Sequence, residues 1–155
     1  MKEPIINPLV SVTKKYISAF SALVENLPIE RYQYVLVLIE ENEEKLTQKA
    51  LSELLNIDKS YMVSIINYLS GKGYVVRKKN QDDRREQIIG LTAQARKDLP
   101  VIKAAFKEIN SLSFKGLSYV EIATFLETLD KIQQNLSDSN PSEIFFNIKR
   151  LSNKS

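Results

Sequence analysis

The sequence predicts a mainly α-helical (α+β) fold in which two adjoining helices are followed by a small β-hairpin and flanked by longer helices. Apolar residues recur at helical spacing over most of the 155 residues. Two such patterns near the middle of the chain are separated by a tight turn at residues 56–58. Two short strand-like runs, residues 74–79 and 86–91, come directly after them. This order of elements is that of a winged helix-turn-helix.

The N-terminal part of the chain predicts two amphipathic helices. From Leu9 to Leu27 the apolar residues alternate steps of three and four, which places them on one helical face. Pro28 interrupts this pattern, and a second apolar pattern follows from Tyr32 to Ile39. We expect the acids that close it to face solvent, because a run of like charges is rarely a site without an opposing cation. They are Glu40, Glu41, Glu43 and Glu44.

The helix pair is predicted from its caps and its apolar spacing. Thr47 and Asp58 stand where a side-chain oxygen accepts from the first free N–H groups of a helix. Asn56 between the helices tolerates the left-handed conformation of a tight turn, and Gly73 provides it after the second helix. The residues predicted to pack the two helices together are Ala50, Leu51, Leu54 and Leu55 on the first, and Met62, Ile65, Ile66 and Leu69 on the second.

Polar and basic side chains of this region are candidate DNA contacts. On the second helix, where a recognition helix meets base edges in the major groove, they are Lys59, Ser60, Tyr61 and Ser64. Tyr61 has the alternative of lying on the protein with only its hydroxyl exposed. We assign Lys72, Arg77, Lys78 and Lys79 to phosphates.

The hairpin tip is a second candidate contact. Asp83, Arg84 and Arg85 are predicted to enter a minor groove, with the Asp83 carboxylate bracing the Arg85 guanidinium. The alternative is an ordinary surface turn with an ion pair worth less than about 1 kcal/mol.

Residues 57–77, IDKSYMVSIINYLSGKGYVVR, and residues 82–92, DDRREQIIGLT, resemble the multiple antibiotic resistance regulator (MarR) family of dimeric transcription regulators. The signature is the Asp-x-Arg at Asp83-Arg84-Arg85, followed by the Leu-Thr that opens the next helix. The resemblance covers about Leu9 to Leu136. Val63-Ser64 replaces the Thr-Arg common in the family's recognition helix, and Ala95 replaces a usual Gly. The resemblance implies a homodimeric, sequence-specific DNA-binding regulator, most often a repressor, acting on a palindromic operator.

The distribution of charge supports a nucleic-acid partner. The net charge is +3, but residues 59–85 hold seven basic and two acidic side chains, whereas the rest holds fifteen basic and seventeen acidic ones. A positive field on the helix and hairpin suits counterion-release binding; the alternative is a solvated charged face. With no Cys, no His and no glycine-rich phosphate loop, we expect no enzyme, cofactor or metal site. Without an apolar run long enough to span a bilayer or a signal-peptide core, we expect a cytoplasmic protein.

The C-terminal part predicts further long helices. Thr92 caps one through about Leu112, and Ser118 with Glu121 forms a capping box for the next, which ends near Leu136. With the N-terminal helix they present more apolar surface than one small domain covers, so we expect a dimer. We divide the chain into an N-terminal dimerisation helix (1–28), a winged helix-turn-helix "reader domain" (29–97), and C-terminal dimerisation helices with an extra short helix after Pro141 (98–155).

Two functional questions stay open at this level. The family implies a small aromatic or amphipathic effector bound where dimerisation helices meet the reader domain, and the candidate lining is Tyr16, Phe20, Tyr32 and Tyr34; aromatic residues at helical spacing are more often core. The competing function is a winged-helix adaptor that binds protein or RNA without operator recognition.

Overall fold

The computed structural model describes residues 4–137, and in this range the chain forms six helices and one two-stranded antiparallel sheet. The elements are α1 (Ile6–Leu23), α2 (Gln33–Glu41), α3 (Gln48–Leu54), α4 (Lys59–Gly71), β1 (Val75–Lys79), β2 (Gln87–Leu91), α5 (Ala93–Ser113) and α6 (Tyr119–Asn135). The mainly α-helical fold with a hairpin after the helix pair is thus confirmed. The short helix predicted after Pro141 lies outside the described residues.

Local hydrogen bonds set the starts of α3 and α4 where the sequence placed them, whereas α1 ends at Leu23, before the predicted end at Leu27. The Thr47 hydroxyl accepts from the Ala50 N–H at 3.1 Å, and the Asp58 carboxylate accepts from the Ser60 N–H at 2.7 Å. Asn56 between the two helices has φ +50°, and Gly73 after α4 has φ +77°. Both residues adopt the left-handed conformation that lets the chain turn sharply after a helix.

The hairpin is paired along its whole length and is also held at its outer edge. Its register runs from Val75 opposite Leu91 to Lys79 opposite Gln87. The Ile89 N–H donates to the Leu46 carbonyl at 2.9 Å, which attaches β2 to the loop before α3. The base of the hairpin therefore rests on that loop, while its tip, residues 80–86, extends beyond the strands.

One apolar core joins α2, α3, α4, the hairpin base and the inner faces of α1 and α5. The four predicted core residues of α4, Met62, Ile65, Ile66 and Leu69, are all buried. Leu54 is 54% exposed, so its predicted place in the α3 stripe was wrong. With only seven residues, α3 ends at Leu54, and Leu51 is the apolar residue that it buries.

The flanking helices leave apolar side chains uncovered. None of the 17 residues of α6 is buried, and Ile6, Leu9 and Val12 on α1 are exposed. Helix α5 runs unbroken across residues 97 and 98, where the sequence-based division separates two domains. Within the described part of the chain, no helix is both long and apolar enough to cross a membrane.

Candidate nucleic-acid interface

The first turn of α4 presents polar side chains to solvent. Lys59, Ser60 and Ser64 are exposed, while the opposite face of the helix is buried. Hydrogen bonds from the Ser60 hydroxyl and from the Ser60 and Tyr61 N–H groups lower the pKa of the Asp58 carboxyl. A charged cap therefore fixes the helix end that carries three of the predicted major-groove residues.

Tyr61, the fourth of those residues, packs on the protein. Its ring is half-buried against the core, and its hydroxyl lies 3.3 Å from the Tyr32 hydroxyl. Burial, followed by this hydrogen bond, raises the pKa of Tyr61. The ring lies on the protein, as in the alternative stated from the sequence, but the hydroxyl, which that alternative left exposed, lies against Tyr32.

The hairpin tip is ordered by side-chain acceptors that bind backbone donors. The Asn80 amide oxygen accepts from the Asp82 N–H at 3.0 Å, and the Asp83 carboxylate accepts from the Arg85 N–H at 2.9 Å. None of the ion pairs among residues 4–137 joins Asp83 to Arg85, so the predicted brace between these side chains was wrong. Asp83 binds the backbone because a carboxylate two residues before an N–H group closes a compact local turn.

Three of the four residues assigned to phosphates are engaged within the protein. The Arg77 guanidinium donates to the Asn67 side chain on α4 at 2.8 Å and to Gln48 on α3 at 3.2 Å. Lys78 pairs with Glu44 at 3.1 Å, and the Lys72 ammonium lies over the Tyr68 ring at 5.8 Å. Arg77 thus joins the hairpin to the polar face of α4.

Four basic side chains of the region are exposed and unengaged. For the described residues, no hydrogen bond or ion pair is found for the side chains of Lys59, Lys79, Arg84 and Arg85. Lys59 begins α4, and the other three lie at or beside the hairpin tip. The positive charge left for an outside partner is therefore found at the start of α4 and around the hairpin tip.

Glu44 is the residue whose environment the sequence did not indicate. It was expected to face solvent, but its side chain is 15% exposed and binds Lys78, Arg96 and the Leu91 N–H. The opposing cations are 34 and 52 residues away in the chain, so no local pattern pointed to them. The expectation for Glu44 was wrong, whereas Glu41 and Glu43 are exposed as expected.

All four aromatic residues named as effector candidates line one cavity of about 340 Å³ between α1, α2 and α5. One of them, Phe20, is also a core residue, since it is 7% exposed and its ring stacks on Phe106 at 4.2 Å. Arg31 also lines the cavity and was not predicted. Its Nε is buried without a hydrogen-bond partner in the described structure, and its guanidinium lies 4.8 Å from the Tyr68 ring of α4.

Comparison with known proteins places these features in a family. A sequence model of the MarR family matches residues 30–86, which span the helix pair and most of the hairpin. The HTH-type transcriptional regulator SarZ of Staphylococcus aureus is 28% identical over 109 residues, 70% of this chain and 71% of the relative. The part of the chain that contains the helix pair and most of the hairpin is therefore similar to transcription regulators of the MarR family.

Solved structures share this fold. A MarR-family regulator from Listeria monocytogenes, solved with a 26-mer DNA, superposes with a TM-score of 0.76 over 88% of this chain and 91% of that one, at 23% identity. CouR from Rhodococcus jostii, solved with p-coumaroyl-CoA, gives a TM-score of 0.72 over 84% and 92%, at 26% identity. The winged helix-turn-helix fold predicted from the sequence is confirmed, and α4 is hereafter called the recognition helix and the hairpin the wing.

Proposed function

We propose that this chain is a MarR-type regulator: a homodimeric, cytoplasmic repressor that binds a palindromic operator and is released from it by a small-molecule effector. The observation that carries the proposal is the position of the four unengaged cations. Lys59 lies at the start of the recognition helix, beside the polar residues Ser60 and Ser64, and the other three cations lie around the wing tip.

The DNA contacts follow from which side chains are available. Lys59, Ser60 and Ser64 meet the major groove, where lysine and hydroxyl groups read base edges. Arg84 and Arg85 meet the adjacent minor groove, and Lys79 meets phosphate. Arg77, Lys78 and Lys72 rank lower as phosphate contacts, because each would have to give up a protein partner first.

Dimerisation is supported by the uncovered helix faces. Phe125 and Leu126 on α6 and Leu136 directly after it are 46%, 52% and 58% exposed, and Ile6 and Val12 on α1 are about as exposed. A second copy that covers these faces removes apolar surface from water, which is the main driving force of association. Twofold symmetry then places two recognition helices about 34 Å apart, one turn of the duplex.

Effector control is supported by the cavity beside α2. Its aromatic lining and the buried Arg31 Nε suit a small aromatic or amphipathic ligand. The relative CouR was solved with such a molecule, p-coumaroyl-CoA. Arg31 and Tyr32 line the cavity and also contact Tyr68 and Tyr61 of the recognition helix, so a ligand there touches the residues that support that helix.

The test is a titration of duplex DNA, selected from host genomic fragments by the wild-type protein, followed by fluorescence anisotropy at several salt concentrations. The variant Arg85→Ala should bind more weakly, and the slope of log affinity against log salt should fall by about one, because an interface with one cation fewer releases fewer counterions from the duplex. Its melting temperature should stay unchanged, because the Arg85 side chain is exposed.

Lys115→Ala is the matched control, since it removes one exposed positive charge at the α5–α6 turn. It should bind like the wild type. A folded wild-type protein that shows no salt-sensitive duplex binding would reject the proposed function in favour of a protein or RNA adaptor. An equal decrease of affinity in both variants would remove the wing from the interface.

A further inference from the structure

A single carboxylate joins both strands of the wing to the helix that follows. Glu44 Oε2 accepts from the Leu91 N–H at 2.8 Å and from Lys78 Nζ at 3.1 Å, while Oε1 pairs with Arg96. Leu91 ends β2, Lys78 belongs to β1, and Arg96 lies in the first turn of α5. The side chain is shielded from water, and charged hydrogen bonds of this kind are stronger than neutral ones.

The backbone around Glu44 is shaped for this contact. Glu43 and Glu44 both have positive φ, +53° and +56°, a conformation that non-glycine residues seldom adopt. The turn directs the chain from the end of α2 back under the wing. Such strain persists only where surrounding contacts hold it, and it is often found at functional positions.

Gly90 gives Lys78 its route to Glu44. The two residues are diagonal neighbours across the strands, since Gly90 pairs with Val76. A Cβ at Gly90 would lie 2.6 Å from Lys78 Nζ and 2.8 Å from its Cδ. The lysine therefore crosses β2 over a position without a side chain, and any larger residue there would displace it.

We propose that Glu44 is a positioning residue that fixes the wing for DNA contact, with Lys78 and Arg96 as its partners rather than as ligands of phosphate. The inference rests on the proposed DNA contact of the wing. It reverses the sign expected from simple electrostatics: removal of an acidic side chain normally strengthens binding to a polyanion, whereas removal of this one weakens it.

The experiment is a double-mutant cycle in the full-length chain with the selected duplex, read by fluorescence anisotropy. Glu44→Gln should bind about three- to tenfold more weakly than wild type, and this decrease should shrink in an Arg85→Ala background because both act through the wing. Glu41→Gln is the control. It makes the same charge change at an exposed residue that takes part in no ion pair found in the described structure.

Wing mobility gives a second readout that needs no DNA. Because the sequence has no Cys, Gln81→Cys provides a unique site for a nitroxide label at the wing tip. Its electron paramagnetic resonance spectrum should show faster motion with Glu44→Gln and no change with Glu41→Gln. The Glu44→Gln variant should still fold, since the backbone hydrogen bond from Ile89 to Leu46 does not involve the Glu44 side chain.

The outcomes separate this inference from the proposed function. Three results would each overturn the role of Glu44. The first is a Glu44→Gln affinity equal to or above that of Glu41→Gln, and the second is a decrease of affinity that is undiminished in the Arg85→Ala background. The third is an unchanged nitroxide spectrum. Failure of the wild type itself to bind the duplex would instead overturn the proposed function.

Discussion

The reader domain and helix α6 bury their apolar side chains to very different extents. In the reader domain, Leu36, Leu51, Ile66 and Leu69 are completely buried within one chain. On α6, Tyr119 and Val120 are 85% and 70% exposed, and no residue of the helix is buried. Both regions have the regular apolar spacing of amphipathic helices, so the pattern alone does not distinguish them.

The difference indicates that one apolar surface is covered within the chain and the other is not. The helices of the reader domain pack against each other, against the hairpin base and against the inner faces of α1 and α5, so this core forms within one chain. The apolar face of α6 has no such cover within residues 4–137, and under the proposed function a second molecule would stabilise it. Four predictions test this contrast, in order of decreasing effect.

The largest effect is expected from a matched pair of Leu→Ala variants. Leu69→Ala leaves a cavity in a completely buried site and should lower the free energy of unfolding by about 2–5 kcal/mol at any protein concentration. Leu126→Ala, at a 52% exposed site, should lower the free energy of unfolding by less than about 1 kcal/mol in dilute protein. The decrease should be larger at protein concentrations at which the chains associate. Urea unfolding at two protein concentrations measures both; identical behaviour of the two variants would contradict the contrast.

A charge on the uncovered face should weaken association without unfolding the monomer. We expect Leu126→Glu to raise the dimer dissociation constant about 100-fold, because a buried charge without a partner is strongly unfavourable. Sedimentation velocity over a range of concentrations measures the change, with circular dichroism as the check on folding. The control, Glu127→Gln on the same helix, alters charge at an exposed polar position and should leave the constant near that of wild type.

Two hydrogen bonds donated by tyrosine hydroxyls compare the interior with the surface, one to a buried carboxylate and the other to an exposed amide oxygen. Tyr74 donates to the buried Asp98 carboxylate at 2.6 Å, whereas Tyr16 on α1 donates to Asn110 at an exposed site, at 2.8 Å. Tyr74→Phe should lower the free energy of unfolding by about 1–3 kcal/mol, since it leaves a buried carboxylate one donor short. Tyr16→Phe should change it by less than half as much, because water replaces the missing donor. Thermal unfolding of the two variants gives the comparison.

The smallest effect is a pH dependence of the two charged caps. Hydrogen bonds from Ser60 and the Tyr61 N–H lower the pKa of Asp58, and those from the Ser118 N–H and hydroxyl lower the pKa of Glu121. A carboxyl with a lowered folded pKa stabilises the fold above its unfolded value, 3.8 for Asp58 and 4.5 for Glu121, and this stabilisation disappears as pH falls through the folded value.

Protonation of the two caps should affect different parts of the structure. Protonation of Asp58 should lower the global melting temperature below about pH 4, since α4 belongs to the closed core. Protonation of Glu121 should fray only the start of α6, visible as faster amide exchange there. In the Asp58→Asn variant the melting temperature should depend less on pH in this acid range. In the Glu121→Gln variant the amide exchange at the start of α6 should depend less on pH. A global shift from the Glu121 variant would show that α6 unfolds together with the reader domain.

Local chemistry made much of this molecule predictable. Thr47, Asp58 and Ser118 were identified as helix caps because a cap bonds within three residues of itself, and Gly73 because a positive φ after a helix favours glycine. The same locality identified the wing, since its strands are separated by a short polar turn. The aromatic residues of the cavity were named from the family resemblance, and the structure brings them together.

Electrostatic pairing was not predictable in the same way. From the sequence, Lys78 was predicted to contact phosphate and Glu44 to face solvent. In the structure the two form an ion pair, although they are 34 residues apart in the chain. The Asp83 carboxylate was expected to bind a guanidinium and instead binds a backbone N–H. Flexible charged side chains pair with whichever opposite charge or donor lies close to them in the folded chain. The spacing of apolar residues in the sequence contains no information about that distance.

The sequence by itself determined the helices, the wing, their caps and the faces that are apolar, because each depends on interactions between residues close together in the chain. Only the tertiary structure decided which of the charged side chains pair with each other within the chain. It also decided that the apolar face of α4 is covered within the chain while that of α6 is not. The physical reason is that burial and ion pairing depend on the three-dimensional arrangement of elements distant in sequence.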